Sequence, residues 1–261
     1  MIKRLSCFAF GGFAYLMFLG TILYAAAFVG GFAPTTLDGV PSTPLLPALA
    51  IDAGLLVLFA VQHSVMARPW FKDRWMQIVP WTIERSTYVL ASNLALLFLF
   101  WQWRPIGGVV WHVQNPAVRA VLWTLFASGW VLALAATFAI NHFDLFGLRQ
   151  VWLPLIGRPY TKIPFSTPGL YRLVRHPLYL GFMLAFWMTP IMTFAHLLFA
   201  VGTTAYILIA VQFEENDLVS EYGDTYRNYR SRVRMILPLG PAADPLTVET
   251  AAAPRPASLH R

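Results

Sequence analysis

Residues 177–213 form the longest apolar run of the chain, and Pro190 interrupts it in TPIMT. As one helix the run would extend roughly 55 Å at 1.5 Å per residue, while the hydrocarbon core of a bilayer is about 30 Å thick. A proline inside a helix removes a backbone donor and clashes with the preceding turn. The run is therefore read as a hairpin, with a short arm over 177–189 and a longer arm over 194–213. Four more apolar runs precede it, at 8–31, 46–66, 87–103 and 117–140. A span needs about 20 apolar residues, so the pattern predicts four spans plus a C-terminal helical hairpin.

With 57% hydrophobic and 12% charged residues, the composition lies far from the roughly 25% charged residues of soluble domains. The expectation is an all-α integral membrane protein, a polytopic helical bundle formed as one domain over 1–240. The first run follows Lys3 and Arg4 but is too long for a signal peptide. A single cysteine, Cys7, excludes internal disulfides and cysteine-based metal clusters, and no metal is expected.

Charge placement orients the bundle. Segments before span one, between spans two and three, between span four and the hairpin, and after the hairpin carry 15 Lys and Arg. The opposite loops carry only Arg104 and Arg119, leaving aside Arg255 and Arg261 in the tail. Such a bias predicts that the N- and C-termini are both cytoplasmic. It also accounts for the net charge of +7 through topology, with no nucleic-acid partner. The Ala- and Pro-rich stretch 241–261 is expected to be disordered.

Two polar clusters bracket the hairpin. At its start stands Arg175-His176-Pro177-Leu178-Tyr179-Leu180-Gly181. Pro177 suits the first position of a helix, and a helix start offers free N–H groups and partial positive charge to a carboxylate or phosphate. His176 and Tyr179 share a face, and Gly181 admits a second backbone or a ligand. The other reading is an interfacial anchor, since these residue types are common at membrane boundaries. At the hairpin's far end, Glu214, Glu215 and Asp217 close a long apolar helix. These acids either pair with Arg172 or Arg175 or hold a cationic ligand. Adjacent helical residues point about 100° apart, so one of Glu214 and Glu215 is expected to face a pocket while the other pairs with an arginine. Tyr222, Tyr226 and Tyr229 form a stripe read chiefly as packing.

Together these clusters, RHPLYLG and FEEN…YGDTYRNYR, resemble the membrane methyltransferase superfamily of isoprenylcysteine carboxyl methyltransferases and phospholipid methyltransferases. Over about residues 10–240 the chain is similar to a narrower group, the bacterial methanethiol S-methyltransferases and their NnrU-like relatives. QHSVMARPWFKDRW, ERSTYVLASNLALLFLFWQWRPI and NHFDLFGLRQVWLPLIGRPY carry that likeness. The resemblance implies a multi-pass protein of a bacterial inner membrane. Its cofactor would be S-adenosylmethionine, with S-adenosylhomocysteine as product, and its acceptor a small thiol. The cofactor pocket would be built from helices at the cytoplasmic face, with a core over about 141–238, because no Gly-rich dinucleotide fingerprint follows a strand.

In that setting Arg175, His176, Pro177, Leu178, Tyr179, Gly181, Glu214 and Glu215 become the expected cofactor residues. The helix start with Arg175 and His176 would take the carboxylate, and a glutamate the ammonium or ribose. Tyr179 could pack on the adenine or face the sulfonium. The thiolate is the attacking species, so a proton acceptor is wanted, and His63 and His142 are candidates, with Asp144 orienting His142. The Pro-, Gly- and aromatic-rich segment 145–175 is read either as a cap, offering Arg149, Gln150, Trp152 and Tyr160, or as a membrane-interface belt. Lipid or prenylcysteine methylation and a non-catalytic membrane role are the competing readings. His112 and His196 are expected to be structural.

Overall fold

A computed structural model describes residues 1–238 of the chain. The expected tail over 241–261 lies outside the described residues. The elements run α1 (Ile2–Gly30), α2 (Leu45–Ala67), α3 (Pro69–Trp75), α4 (Trp81–Gln102), β1 (Val109–His112), α5 (Pro116–Ile140), α6 (His142–Leu145), α7 (Leu148–Leu155), a 3-10 turn (Gly169–Arg172), α8 (Pro177–Trp187), β2 (Ile191–Thr193), α9 (Phe194–Tyr222) and α10 (Asp224–Arg232). Among the described residues five helices are long and apolar enough to cross a membrane: α1, α2, α4, α5 and α9. The all-α polytopic bundle is as expected.

The hairpin forms, but with unequal arms. The eleven residues of α8 rise only about 16 Å, and Met188 caps them before Pro190. The chain continues into β2, which pairs antiparallel with β1 from the α4–α5 connection. Trp111 donates its indole N–H to the Thr189 carbonyl at 3.0 Å, which secures the hairpin tip to that connection. Both strands escape a hydropathy reading because each has only three or four residues.

At the same end, the α1–α2 loop is tied to the start of α9. Thr193 caps that helix by accepting the His196 N–H at 3.1 Å, while its hydroxyl donates to Asp38 at 2.5 Å. His196 contacts the second Asp38 oxygen at 3.2 Å. Behind this layer a buried core of Phe28, Leu37, Leu55, Leu99, Phe100, Trp103, Phe126 and Phe199 joins α1, α2, α4, α5 and α9.

The most extensive helix–helix contact is between α5 and α8. Gly129 and Gly181 face each other there, and a Cβ on Gly181 would lie 2.6 Å from Ala133 N and Gly129 O. Small residues let membrane helices approach closely, so the open face of Gly181 admits a backbone. α8 is thereby pressed on α5 at the level of its own first turn.

Two departures bear on function. α9 does not stop at the acids: it continues to Tyr222 and ends at Gly223, whose φ is 56°. The segment 145–175, read as a cap or a membrane-interface belt, contains α7 and the 3-10 turn. α7 docks against α1, where Val151 is buried and would leave only 2.7 Å to a Cβ on Gly11.

Candidate active site

The end of the bundle opposite the strands gathers the polar residues. There α1, α4 and α8 begin, while α2, α5 and α9 end or approach their ends. The N-terminus of α8 is held by the chain returning from α10. Arg175 N–H donates to the Arg234 carbonyl at 2.7 Å, and His176 N–H to the Met235 carbonyl at 3.0 Å. Tyr226 and Tyr229 are buried against Phe165 and Tyr222, and Tyr229 donates to the Tyr171 carbonyl at 2.6 Å. The tyrosine stripe is packing that buttresses the start of α8.

The adjacent glutamates divide their work. Glu215 is 3% exposed. Its Oε1 accepts from Arg175 Nε at 2.7 Å and lies 3.0 Å from His176 Nε2, with Arg230 Nε 3.7 Å from its other oxygen. Arg175 also donates from Nη1 to the Arg230 and Val233 carbonyls at 2.9 and 2.5 Å. Its guanidinium is thus largely committed to protein acceptors. Glu214, one residue earlier, turns the other way. Its side chain is 44% exposed and its Oε2 accepts the Tyr179 hydroxyl at 2.9 Å. His176 stacks on Tyr179 with ring centroids 5.6 Å apart. No side chain caps α8, and Pro177 lacks an N–H, so the amides of Leu178 and Tyr179 carry the unsatisfied donors of a helix start.

A second wall comes from α2, α4 and α9. His63 lies one helical turn before the end of α2. Its Nδ1 is 3.0 Å from Ser92 Oγ, and the Tyr88 hydroxyl stands 2.9 Å from Nε2 and 3.1 Å from Nδ1. Ser64 Oγ meets the Tyr206 hydroxyl of α9 at 3.2 Å, and Arg68 pairs with Asp217 at 2.8 Å. Tyr88, Tyr206, Tyr179 and Glu214 lie within electrostatic reach of one another.

His142 is set apart from its expected partner. It is 2% exposed, with Nδ1 2.7 Å from Thr137 Oγ1 and Nε2 2.9 Å from the Tyr15 hydroxyl. Its ring stacks on Phe138 at 4.1 Å. Burial without a neighbouring anion holds its imidazole below the usual range. Asp144 does not orient it. Residues two apart on a helix point about 200° apart, and the Asp144 carboxylate instead accepts from Arg149 at 3.1 Å and Tyr160 at 3.4 Å. The expected His142–Asp144 pair is therefore corrected to two separate units.

Of the cap residues, Arg149 also bonds Thr161 and lies over the Tyr160 ring at 5.1 Å. Gln150 is buried and donates to the Asp144 carbonyl at 3.1 Å. Trp152 is exposed and packs on Phe8 of α1 at 5.6 Å, the position of an interfacial anchor. A groove of about 640 Å³ on the outer side of α5, lined by residues such as Trp123, Ser128, Val131 and Leu170, carries no ionisable group and is not part of this site.

The family model described as NnrU protein matches residues 53–221, which takes in the His63, Tyr88, Tyr179 and Glu214 walls together. The chain belongs to the NnrU family. It is 53% identical over 238 residues to methanethiol S-methyltransferase of Mycobacterium tuberculosis, covering 91% of this chain and 98% of the relative. It is 52% identical over 238 residues to methanethiol S-methyltransferase of Crocosphaera subtropica, covering 91% and 93%. Nurim of Sus scrofa is 31% identical over 183 residues, covering 67% and 69%. No solved structure matches the chain.

Sequence reading of this NnrU-family protein brought out the Glu214, Tyr179 and His176 group but passed over Tyr88, Ser92 and Tyr206. A signal for two of them exists: Arg85, Tyr88 and Ser92 recur at i, i+3 and i+7 within an apolar span, which puts three polar groups on one helical face.

Proposed function

We propose that this chain is an S-adenosylmethionine-dependent methyltransferase whose acceptor is methanethiol or a thiol of similar size, giving dimethyl sulfide from methanethiol. The observation that carries this reading is identity above 50% to methanethiol S-methyltransferases over 91% of the chain. The residues present fit the cofactor. Its amino-acid end needs hydrogen-bond donors for a carboxylate and an anion for an ammonium. The uncapped amides of Leu178 and Tyr179 and the half-exposed Glu214, bonded to the Tyr179 hydroxyl, supply these.

When bound, S-adenosylmethionine supplies a methyl group already activated on a sulfonium. The protein's part is alignment, exclusion of water and removal of one proton. In this reading Glu214 holds the ammonium and the α8 start the carboxylate, while the Tyr179 ring borders the cationic centre. His176 stacks on Tyr179 and fixes its ring. Arg175 and Glu215 lock the α8 start in place, so Arg175 acts through position rather than as a direct ligand. Arg149, Gln150 and Tyr160, tied to Asp144, cover the same end. The excess of Lys and Arg at this end supports a cytoplasmic orientation for it in a bacterial inner membrane.

The test is purified protein in detergent supplied with methanethiol and S-adenosylmethionine. Dimethyl sulfide in the headspace, matched one to one by S-adenosylhomocysteine, is the expected result. Methylation of a lipid or prenylcysteine acceptor with no dimethyl sulfide would overturn it.

A further inference from the structure

The thiol's proton needs a destination, and the α2–α4 wall offers one. On α4, Arg85, Tyr88 and Ser92 share a face, and His63 of α2 lies against the last two. Ring nitrogens buried between spans are expensive and need partners. His63 has one on each side: Ser92 Oγ at 3.0 Å from Nδ1 and the Tyr88 hydroxyl at 2.9 Å from Nε2. The Arg85 guanidinium lies 5.8 Å from the Tyr88 ring centroid and has no carboxylate partner among the described residues. Ser64, the neighbour of His63, reaches Tyr206 of α9. That link ties the cluster to the helix that carries Glu214.

We propose that Tyr88 and His63 form the relay that accepts the proton of the acceptor thiol, with Ser92 fixing the imidazole and Arg85 stabilising the negative charge that develops. The inference rests on the S-methyltransferase reading above. With Nδ1–H donating to Ser92 Oγ, the Nε2 lone pair is free to accept the Tyr88 O–H. The Tyr88 oxygen then receives the thiol proton as its own proton passes to Nε2. The S–H bond breaks, and its electron pair on sulfur forms the new S–CH₃ bond. The donor's S–CH₃ bond breaks at the same time and returns its pair to the donor sulfur. His63 releases the proton to solvent after turnover.

His142 is a poorer acceptor. Its hydroxyl partners, Thr137 and Tyr15, lie outside the α2–α4 wall and Phe138 covers its ring, whereas Tyr88 lies within electrostatic reach of Glu214, Tyr206 and Tyr179.

The test compares two acceptors with the full-length protein at neutral pH: methanethiol, largely a thiol there, and thioacetate, a small sulfur nucleophile already ionised. For Tyr88→Phe and His63→Asn, the relay predicts a loss of about 100-fold or more in kcat/KM for methanethiol. Thioacetate methylation and S-adenosylhomocysteine affinity should stay near wild type. Equal losses on both acceptors, or no loss on either, overturn the relay while leaving the methyltransferase reading intact. Wild-type protein gives a second readout that needs no variant: a solvent deuterium isotope effect with methanethiol and none with thioacetate. Its absence with methanethiol also overturns the relay. A wild-type protein that methylates no thiol overturns the proposed function itself.

Discussion

The Tyr179 hydroxyl donates to Glu214 Oε2 at 2.9 Å, while the next residue, Glu215, points away to receive Arg175 Nε at 2.7 Å. Two acids adjacent in sequence thus have opposite surroundings, 44% and 4% exposed at their side chains. Their substitutions should separate binding from folding. Glu214→Gln should keep the thermal midpoint in detergent and weaken S-adenosylhomocysteine binding about tenfold or more, the loss expected of a charge-assisted contact. Glu215→Ala leaves Arg175 and His176 buried without their anion. Breaking a buried pair costs on the order of 3–5 kcal/mol, so this variant should lose thermal stability first. Calorimetric titration and thermal unfolding of both variants measure the difference.

The Gly129–Gly181 contact makes α8 sensitive to one methyl group. Gly181→Ala puts a carbon 2.6 Å from two backbone atoms of α5, which cannot rotate out of the way. The helices must separate, and Tyr179 and His176 move with α8. Gly202→Ala meets only the Leu56 Cδ1 at 2.8 Å, the far end of a flexible side chain, and Gly54→Ala meets nothing within 4 Å. Thermal midpoints should therefore fall strongly for Gly181→Ala, slightly for Gly202→Ala and not at all for Gly54→Ala.

Much of the fold is legible in the apolar runs because a bilayer imposes its own length scale. The fourth run, read as 117–140, is α5 at Pro116–Ile140, and Pro190 falls in the turn of the hairpin. Hydropathy marks where hydrocarbon ends, not where hydrogen bonding ends. This is why α9 runs past Glu214 and Glu215 to Gly223 although its last two turns are polar. The division of labour between Glu214 and Glu215 follows from the 100° helical step, but which acid pairs with Arg175 depends on the packing of α8 against α9. His63 lies 25 residues from Tyr88 and 29 from Ser92. Their meeting depends on the rotation of α2 against α4, which no local pattern encodes. His142 and Asp144 show the opposite case: they are close in sequence, yet their side chains have separate partners.

At the strand end, Asp38 bridges the α1–α2 loop to Thr193 and His196 at the start of α9. Asp38→Ala removes the acceptor from both and should lower the thermal midpoint. Because the helices separate Asp38 from Glu214, affinity for S-adenosylhomocysteine at a temperature where the variant is folded should be unchanged. A parallel loss of affinity would mean that the hairpin tip sets the position of α8 at its far end.

His142 gives the fold a pH dependence whose sign follows from its surroundings. Its nitrogens face two hydroxyls, of Thr137 and Tyr15, and its ring faces Phe138. Among the described residues no carboxylate stands beside it, in contrast to His176 with Glu215 and His196 with Asp38. Burial therefore lowers its proton affinity below the ordinary value of 6.5. Between the lowered native value and 6.5 the unfolded chain binds more protons there than the native protein, so stability rises with pH across that window. It is fully present above 6.5 and lost as the pH falls below it. The wild-type thermal midpoint should be flat above neutrality at this site and decline under acid. In His142→Gln, which keeps a polar group beside Thr137 and Tyr15 but cannot be protonated, the midpoint should be lower at neutral pH and the acid decline shallower. An unchanged acid decline in that variant would place the titrating group elsewhere.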